Sequence, residues 1–173
     1  YPAEIRAPHN TIAGVSGFQV HVGRKKIDTT GDYCDVLVAM NPASLKANLK
    51  WVRPGSTIIV DSDAFEKDTI EKAGYKTNPL DDGSLGQYNL VKAPITSLTR
   101  ASLKNLGLDV KTMDKTKNMF ALGMTYHLFN WSMDPTLAYF QSKFKKKPEL
   151  IEANKLVLET GYNYTDTIEA LSS

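Results

Sequence analysis

The sequence predicts an α/β protein: a mostly parallel, Rossmann-like sheet flanked by helices, followed by a helical carboxyl-terminal part. Three observations carry this. Val36-Leu37-Val38-Ala39-Met40 and Thr57-Ile58-Ile59-Val60 are short runs apolar on both faces, as interior strands of a parallel sheet must be when helices cover both sides. Each runs into a helix-start signal and an amphipathic stretch, and successive strand–helix units build a parallel sheet through right-handed crossovers. From Lys117 onward the pattern is helical throughout.

In chain order, Tyr1 to Asn10 is polar, holds Pro2 and Pro8, and precedes Gly14 and Gly17, so it reads as a loop. Phe18, Val20 and Val22 then alternate with Gln19, His21 and Gly23, the period of two of a half-buried strand. A turn around Asp28 to Gly31 leads into Val36–Met40. Asn41 caps and Pro42 opens a helix with Leu45, Leu49 and Val52 on one face, stopped by Pro54-Gly55. Thr57–Val60 runs into Asp61-Ser62-Asp63, which caps a helix from Phe65 to Ala73 ended by Gly74. Tyr75-Lys76-Thr77 and Asn89-Leu90-Val91 read as short strands, and Pro94 ends the second or places it at an edge. Met119 to Trp131 is apolar on nearly every side, the mark of a helix buried on several faces. Asp134-Pro135 opens a helix with Leu137, Phe140 and Phe144 inward, and Pro148 opens another carrying Ile151, Leu156 and Leu158 as far as Gly161. No repeat, low-complexity tract or linker intervenes, so 1–161 reads as one domain and 162–173 as the start of a linker to a following one.

Composition narrows the function classes. With 173 residues, 42% hydrophobic and 23% charged, the chain has the balance of a globular domain rather than a disordered or fibrous one. Its 21 basic and 19 acidic residues leave +2, evenly spread, which argues against nucleic acid as partner. No apolar run approaches the ~18 residues of a membrane-spanning helix, so no membrane partner is expected. The single cysteine, Cys34, excludes an internal disulfide and a cysteine cage for a metal or cluster, and suits a reducing cytoplasm. His9, His21 and His127 stand apart without ligand spacing; no metal site follows, and His127 reads as a hydrogen-bonded core histidine. The phosphate loop, G-x-G-x-x-G, G-x-S-x-G and H-E-x-x-H are all missing, so no catalytic residue is assigned.

Open α/β sheets hold ligands at the carboxyl ends of their strands. Asn41, Asp61 and Asp63 fall there, and each also suits a helix cap. Lys143, Lys145, Lys146 and Lys147 form a basic patch at a helix end, where lysine complements the dipole or meets an anionic partner. Glu4 and Arg6 make either a local ion pair of little worth or interface anchors, arginine offering forked donors to carboxylate or phosphate.

Several stretches also fall in a familiar order. Tyr1-Pro2-Ala3-Glu4-Ile5-Arg6, Gly17-Phe18-Gln19-Val20-His21-Val22, Asp35 to Asn41, Asn118-Met119-Phe120-Ala121-Leu122-Gly123, Phe144 to Glu149, Glu152-Ala153-Asn154 and Gly161-Tyr162-Asn163-Tyr164 together resemble the gamma domain of 2-oxoacid:ferredoxin oxidoreductases. The Gly-Tyr-Asn-Tyr ending is most similar to the form fused ahead of the alpha domain in one subunit, the 2-oxoglutarate type. The resemblance implies a complex that decarboxylates a 2-oxoacid and hands the acyl group to coenzyme A. It uses thiamine diphosphate, Mg and 4Fe-4S clusters, none bound by this chain alone, so the isolated chain is expected to be inactive. The implied partners are the alpha domain, a thiamine-binding beta subunit and ferredoxin as electron acceptor; the implied location is the cytoplasm.

Within that resemblance, Tyr1, Glu4 and Arg6 are candidate interface residues, and Arg6, Asn41 and Lys92 are candidate coenzyme A contacts, Arg6 first for its forked donors towards phosphate. Two departures stand out. Family members follow Glu-x-Arg with Gly-Gly, where this chain has Ala7-Pro8-His9, and they begin with a strand and glycine-rich loop ahead of the Tyr1 position. The first strand is therefore expected to lie upstream, in roughly 25 to 40 further residues, since without it Val36–Met40 or a neighbour would carry unpaired backbone; continuation past Ser173 into an alpha domain is expected too. A stand-alone Rossmann-like nucleotide-binding or structural interaction module is the alternative, one that a glycine-rich turn after a first strand would favour.

Overall fold

The computed structural model describes residues 3–6, 16–22 and 33–172. These fall into two compact units, Tyr1–Pro94 and Ile95–Ser173, each taken here by itself.

The first unit is a five-stranded sheet in sequential order. Its strands are β1 (Ala3–Arg6), β2 (Gly17–Val22), β3 (Cys34–Ala39), β4 (Val52–Asp61) and β5 (Asn89–Ala93). β3, β4 and β5 are parallel, as the doubly apolar runs require; β1 and β2 join them antiparallel. Val20, Val36, Val38 and Ile59 are fully buried on one face, and Leu37, Ala39, Ile58 and Val60 on the other. The second face packs against α1 (Pro42–Asn48) and α2 (Lys67–Lys72) through Leu45 and Ile70. In β2, Phe18 and Val20 are buried and Gln19 half-buried, as the alternation predicts, but His21 is buried as well, its Nε2 lying 3.2 Å from Gln19 Oε1.

Several expectations are corrected in this unit. Ala3–Arg6 is a strand, not a loop: Glu4 stands opposite His21 and Arg6 opposite Gln19, and the alternation Ala-Glu-Ile-Arg carried that signal. Tyr1, Pro8 and His9 lie outside the described residues. No bare flank opens beside Val36–Met40, because β2 pairs with β3 from Gly17↔Ala39 to Val20↔Val36 and β4 lies on its other side. Val52 belongs to β4 rather than to a helix face: α1 ends at Asn48, one 3₁₀ turn (Leu49–Trp51) follows, and Cys34 pairs with Val52. Asp61 caps the 3₁₀ turn Ser62–Ala64 and not α2, which starts behind Glu66, whose N–H donates to Thr69 Oγ1 at 3.1 Å. Tyr75–Thr77 is no strand. It follows Gly74, which at φ 92° lets the Tyr75 N–H reach back to Ile70 O (3.1 Å) and closes α2.

The second unit is helical, as expected from Lys117 on. α5 (Lys117–Leu128) buries Phe120 through Thr125 and packs along α7 (Pro148–Ser172), with α6 (Asp134–Lys143) between them in sequence. Of the residues expected inward on α6, Phe140 is buried while Leu137 and Phe144 are half-buried. Two further helices precede α5: α3 (Ile95–Leu103), with Ile95, Thr99 and Leu103 buried at a spacing of four, and α4 (Val110–Asp114), capped by Asp109 accepting from the Thr112 N–H at 2.8 Å. Gly161 does not stop α7. A Cβ there would lie 2.0 Å from Phe120 O, and one on Gly123 would lie 2.1 Å from Leu158 O, so the two glycines let α5 and α7 approach backbone to backbone. Residues 162–172, expected to open a linker, are the last turns of that helix.

Candidate functional site

Because β3, β4 and β5 run the same way, Met40-Asn41, Asp61-Ser62-Asp63 and Ala93-Pro94 emerge at one edge of the sheet, where ligands of such folds sit. β1 ends at this edge also, and Ser16 joins it by accepting from the Met40 N–H at 2.6 Å. All three candidate ligand contacts therefore lie along one rim. They do not converge. Arg6 is on β1 and Lys92 on β5, four strand spacings or about 19 Å apart, and Asn41 follows the strand midway between.

Each residue's local duty differs. Asn41 Oδ1 accepts from the Ser44 N–H at 2.8 Å, so its side chain caps α1. Asp61 is fully buried and accepts from the Asp63 N–H at 3.1 Å. In register, Asp61 stands opposite Ala93 and Val60 opposite Lys92, so Asp61 and Lys92 lie on opposite faces. Lys92 is exposed on the last strand and is the cation this rim presents to solvent in the described β3–β5 region. For Arg6 and Glu4 only the backbone register is described. Among the described residues no group of three His, Cys, Asp or Glu is placed to hold a metal ion. The lone thiol cannot supply the four thiolates of an iron–sulfur cluster, and burial pushes Cys34 up to about 12. The donor set of the described residues fits neither a cluster nor a Mg site.

Away from the rim, His127 is held at both ring nitrogens. Its Nδ1 lies 2.7 Å from Glu169 Oε1 and its Nε2 3.1 Å from Asp166 Oδ1, with the Tyr162 ring edge-on at 4.8 Å. It is hydrogen-bonded as expected, but half-buried against exposed carboxylates rather than in the core, and no sequence spacing linked those carboxylates to it. Among the described residues no helix is long and apolar enough to cross a membrane.

The described residues thus form a mixed α/β sheet unit with an open carboxyl rim and a helical unit. Residues 1–164 match the pyruvate ferredoxin/flavodoxin oxidoreductase family, and the chain belongs to that family. Over all 173 residues it is 44% identical to the 2-oxoglutarate oxidoreductase subunit KorA of Mycobacterium tuberculosis (strain ATCC 25618 / H37Rv), of which it spans 26% of the length. Its fold is similar to part of a 2-oxoglutarate:ferredoxin oxidoreductase from Magnetococcus marinus, solved with 2-oxoglutarate, coenzyme A and succinyl-CoA bound. That likeness has a TM-score of 0.57 at 23% identity, over 83% of this chain and 22% of the other.

Proposed function

We propose that this chain is the gamma domain of a cytoplasmic 2-oxoacid:ferredoxin oxidoreductase acting on 2-oxoglutarate, fused ahead of an alpha domain and working with a thiamine-binding beta subunit. The observation that carries the reading is the 44% identity along the whole chain to a 2-oxoglutarate oxidoreductase subunit about four times as long. The chain's own residues supply a scaffold and a rim. Arg6 offers forked donors to a phosphate, Asn41 orders the first turn of α1, and Lys92 adds an exposed charge; together they line an extended path suited to a long anionic ligand such as coenzyme A. Thiamine diphosphate, Mg and the 4Fe-4S clusters sit in the other parts, with ferredoxin as acceptor. Tyr1, Glu4 and Arg6 contribute to the contact with those parts. Residues 162–173 lead into the alpha domain along the end of α7.

Co-purification from the native source tests this. Recovery of a thiamine-binding subunit, with dye reduction that needs both 2-oxoglutarate and coenzyme A, is the expected result. Recovery of the chain by itself, or turnover of a 2-oxoacid by the purified 173 residues alone, overturns it. In the complex, Arg6→Ala is expected to raise the KM for coenzyme A or loosen subunit association; if both stay unchanged, Arg6 has no place in the site.

A further inference from the structure

The junction of α6 and α7 holds an apolar cleft of about 160 Å³ lined by Leu137, Ala138, Phe140, Gln141, Ile151 and Lys155, a space that takes one benzene-sized group. The chain's densest positive charge surrounds it. Between Gln141 and Lys155 stand five lysines and two glutamates, an excess of +3 that exceeds the +2 of the entire chain. Lys143, Lys145, Lys146, Lys147 and Lys155 are exposed, and none is in ion-pair range of a described carboxylate.

Helix electrostatics account for only part of this. Lysine suits the carboxyl end of α6, but Lys147 also stands at the amino end of α7, where the dipole disfavours a cation. At about 100° per residue, Lys155 lies within about 40° of Ile151 on the α7 wheel, whereas Glu149 and Glu152 are about 160° and 100° away, and Lys147 immediately precedes the helix. The cleft wall therefore carries Lys155 one turn beyond Ile151, and Lys147 stands just ahead of the same helix. Lys143 is held nearby over the rings of Tyr139 and Phe144, at 5.5 and 5.4 Å, and Tyr139 is 56% exposed.

We propose that this cleft docks an acidic, apolar-anchored segment of a partner protein. One leucine- or phenylalanine-sized side chain enters between α6 and α7, and carboxylates on either side of it meet Lys147, Lys155 and the lysine turn 143–146. The apolar floor argues against a small inorganic anion as the occupant, and the lysine border argues against a purely apolar one.

The test uses the full polypeptide and a fluorescein-labelled peptide with one phenylalanine centred between glutamate pairs, followed by anisotropy. Saturable binding is expected, weakened about tenfold when the phenylalanine becomes alanine and weakened severalfold as salt rises from about 50 to 300 mM. The double variant Lys147→Glu/Lys155→Glu should weaken it about tenfold with an unchanged circular dichroism spectrum. Ala138→Leu, a change at an exposed cleft residue that alters no charge, should do the same by filling the space. No saturable binding overturns the proposal. So does binding indifferent to the phenylalanine, which would make the patch a bare polycation, and so does equal binding of a peptide with lysines in place of the glutamates.

Discussion

Asn41 and Ser44 show how differently two small polar side chains can count. The Asn41 carboxamide satisfies an amide at the start of α1, and Asn41→Ala should cost about 1 kcal/mol in urea titrations. The Ser44 hydroxyl, 5% exposed, finds no hydrogen-bond partner among the described residues, so its burial is uncompensated. Ser44→Ala is therefore expected to leave stability unchanged or to raise it slightly in the same titration; a loss above about 1 kcal/mol would mean that the hydroxyl is bonded. Cys34 is 2% exposed on β3 with its thiol pushed up to about 12 by burial. It should resist a thiol reagent at pH 8 in the native protein and react at once in denaturant, because the thiolate is the nucleophile. Rapid native labelling would refute that burial.

Helix α7 is held by two devices that act on different stretches of it. In its middle, Gly161 meets Phe120 and Gly123 meets Leu158 at distances no side chain tolerates. Gly161→Ala removes an intrinsic helix penalty worth up to about 1 kcal/mol, yet the clash forces α5 and α7 apart. The crossing should win, for a net loss of about 2 kcal/mol by thermal or chemical unfolding. Near its end, α7 offers Asp166 and Glu169 to His127 on α5. The paired change Asp166→Asn and Glu169→Gln should speed amide exchange over residues 162–172 while leaving α5 near Phe120 protected; unchanged exchange at the helix end would show that the clamp holds nothing. Elsewhere in this unit Arg100 joins α3 to α4 through a forked contact with Asp114 at 2.9 and 2.8 Å, partly exposed and of modest worth.

For the molecule as a whole, the ionisable groups bracket a plateau of stability. Hydrogen bonds from Ser84 and Thr77 hold the Asp82 carboxyl below its ordinary 3.8, Thr112 does so for Asp109 and Arg100 for Asp114. Native carboxyls that bind protons less readily than unfolded ones give stability that is complete above that value and fades as pH falls below it. At the other end, native Cys34 holds its proton longer than the unfolded thiol, from an ordinary 9.0 up to about 12, so stability should fall as pH rises through that interval. Urea midpoints at pH 3, 7 and 10.5 should therefore be highest at 7. A flat profile would contradict the native contacts.

The sequence by itself determined the class of fold and the family. Doubly apolar runs of four and five residues between turn signals are too short for a buried helix and read as interior parallel strands, and β3 and β4 are that; an all-round apolar stretch of about a dozen residues reads as a buried helix, and α5 is that. Asn41 as a cap was legible because its signal lies within four residues. What the tertiary structure decided are matters of long separation. The pairing of β1 with β2 turned an apparent loop into a strand, since Ala3–Arg6 is too short to declare itself without a partner. The approach of Phe120 turned Gly161 from a helix stop into a packing residue. The candidate site followed the same rule: its edge could be read from strand direction, but the spread of Arg6, Asn41 and Lys92 along that edge depended on strand order. Local signals fix what an element is, because its hydrogen bonds close within a few residues. Which elements meet is settled by burial between residues far apart in the chain, and no short stretch of sequence encodes that.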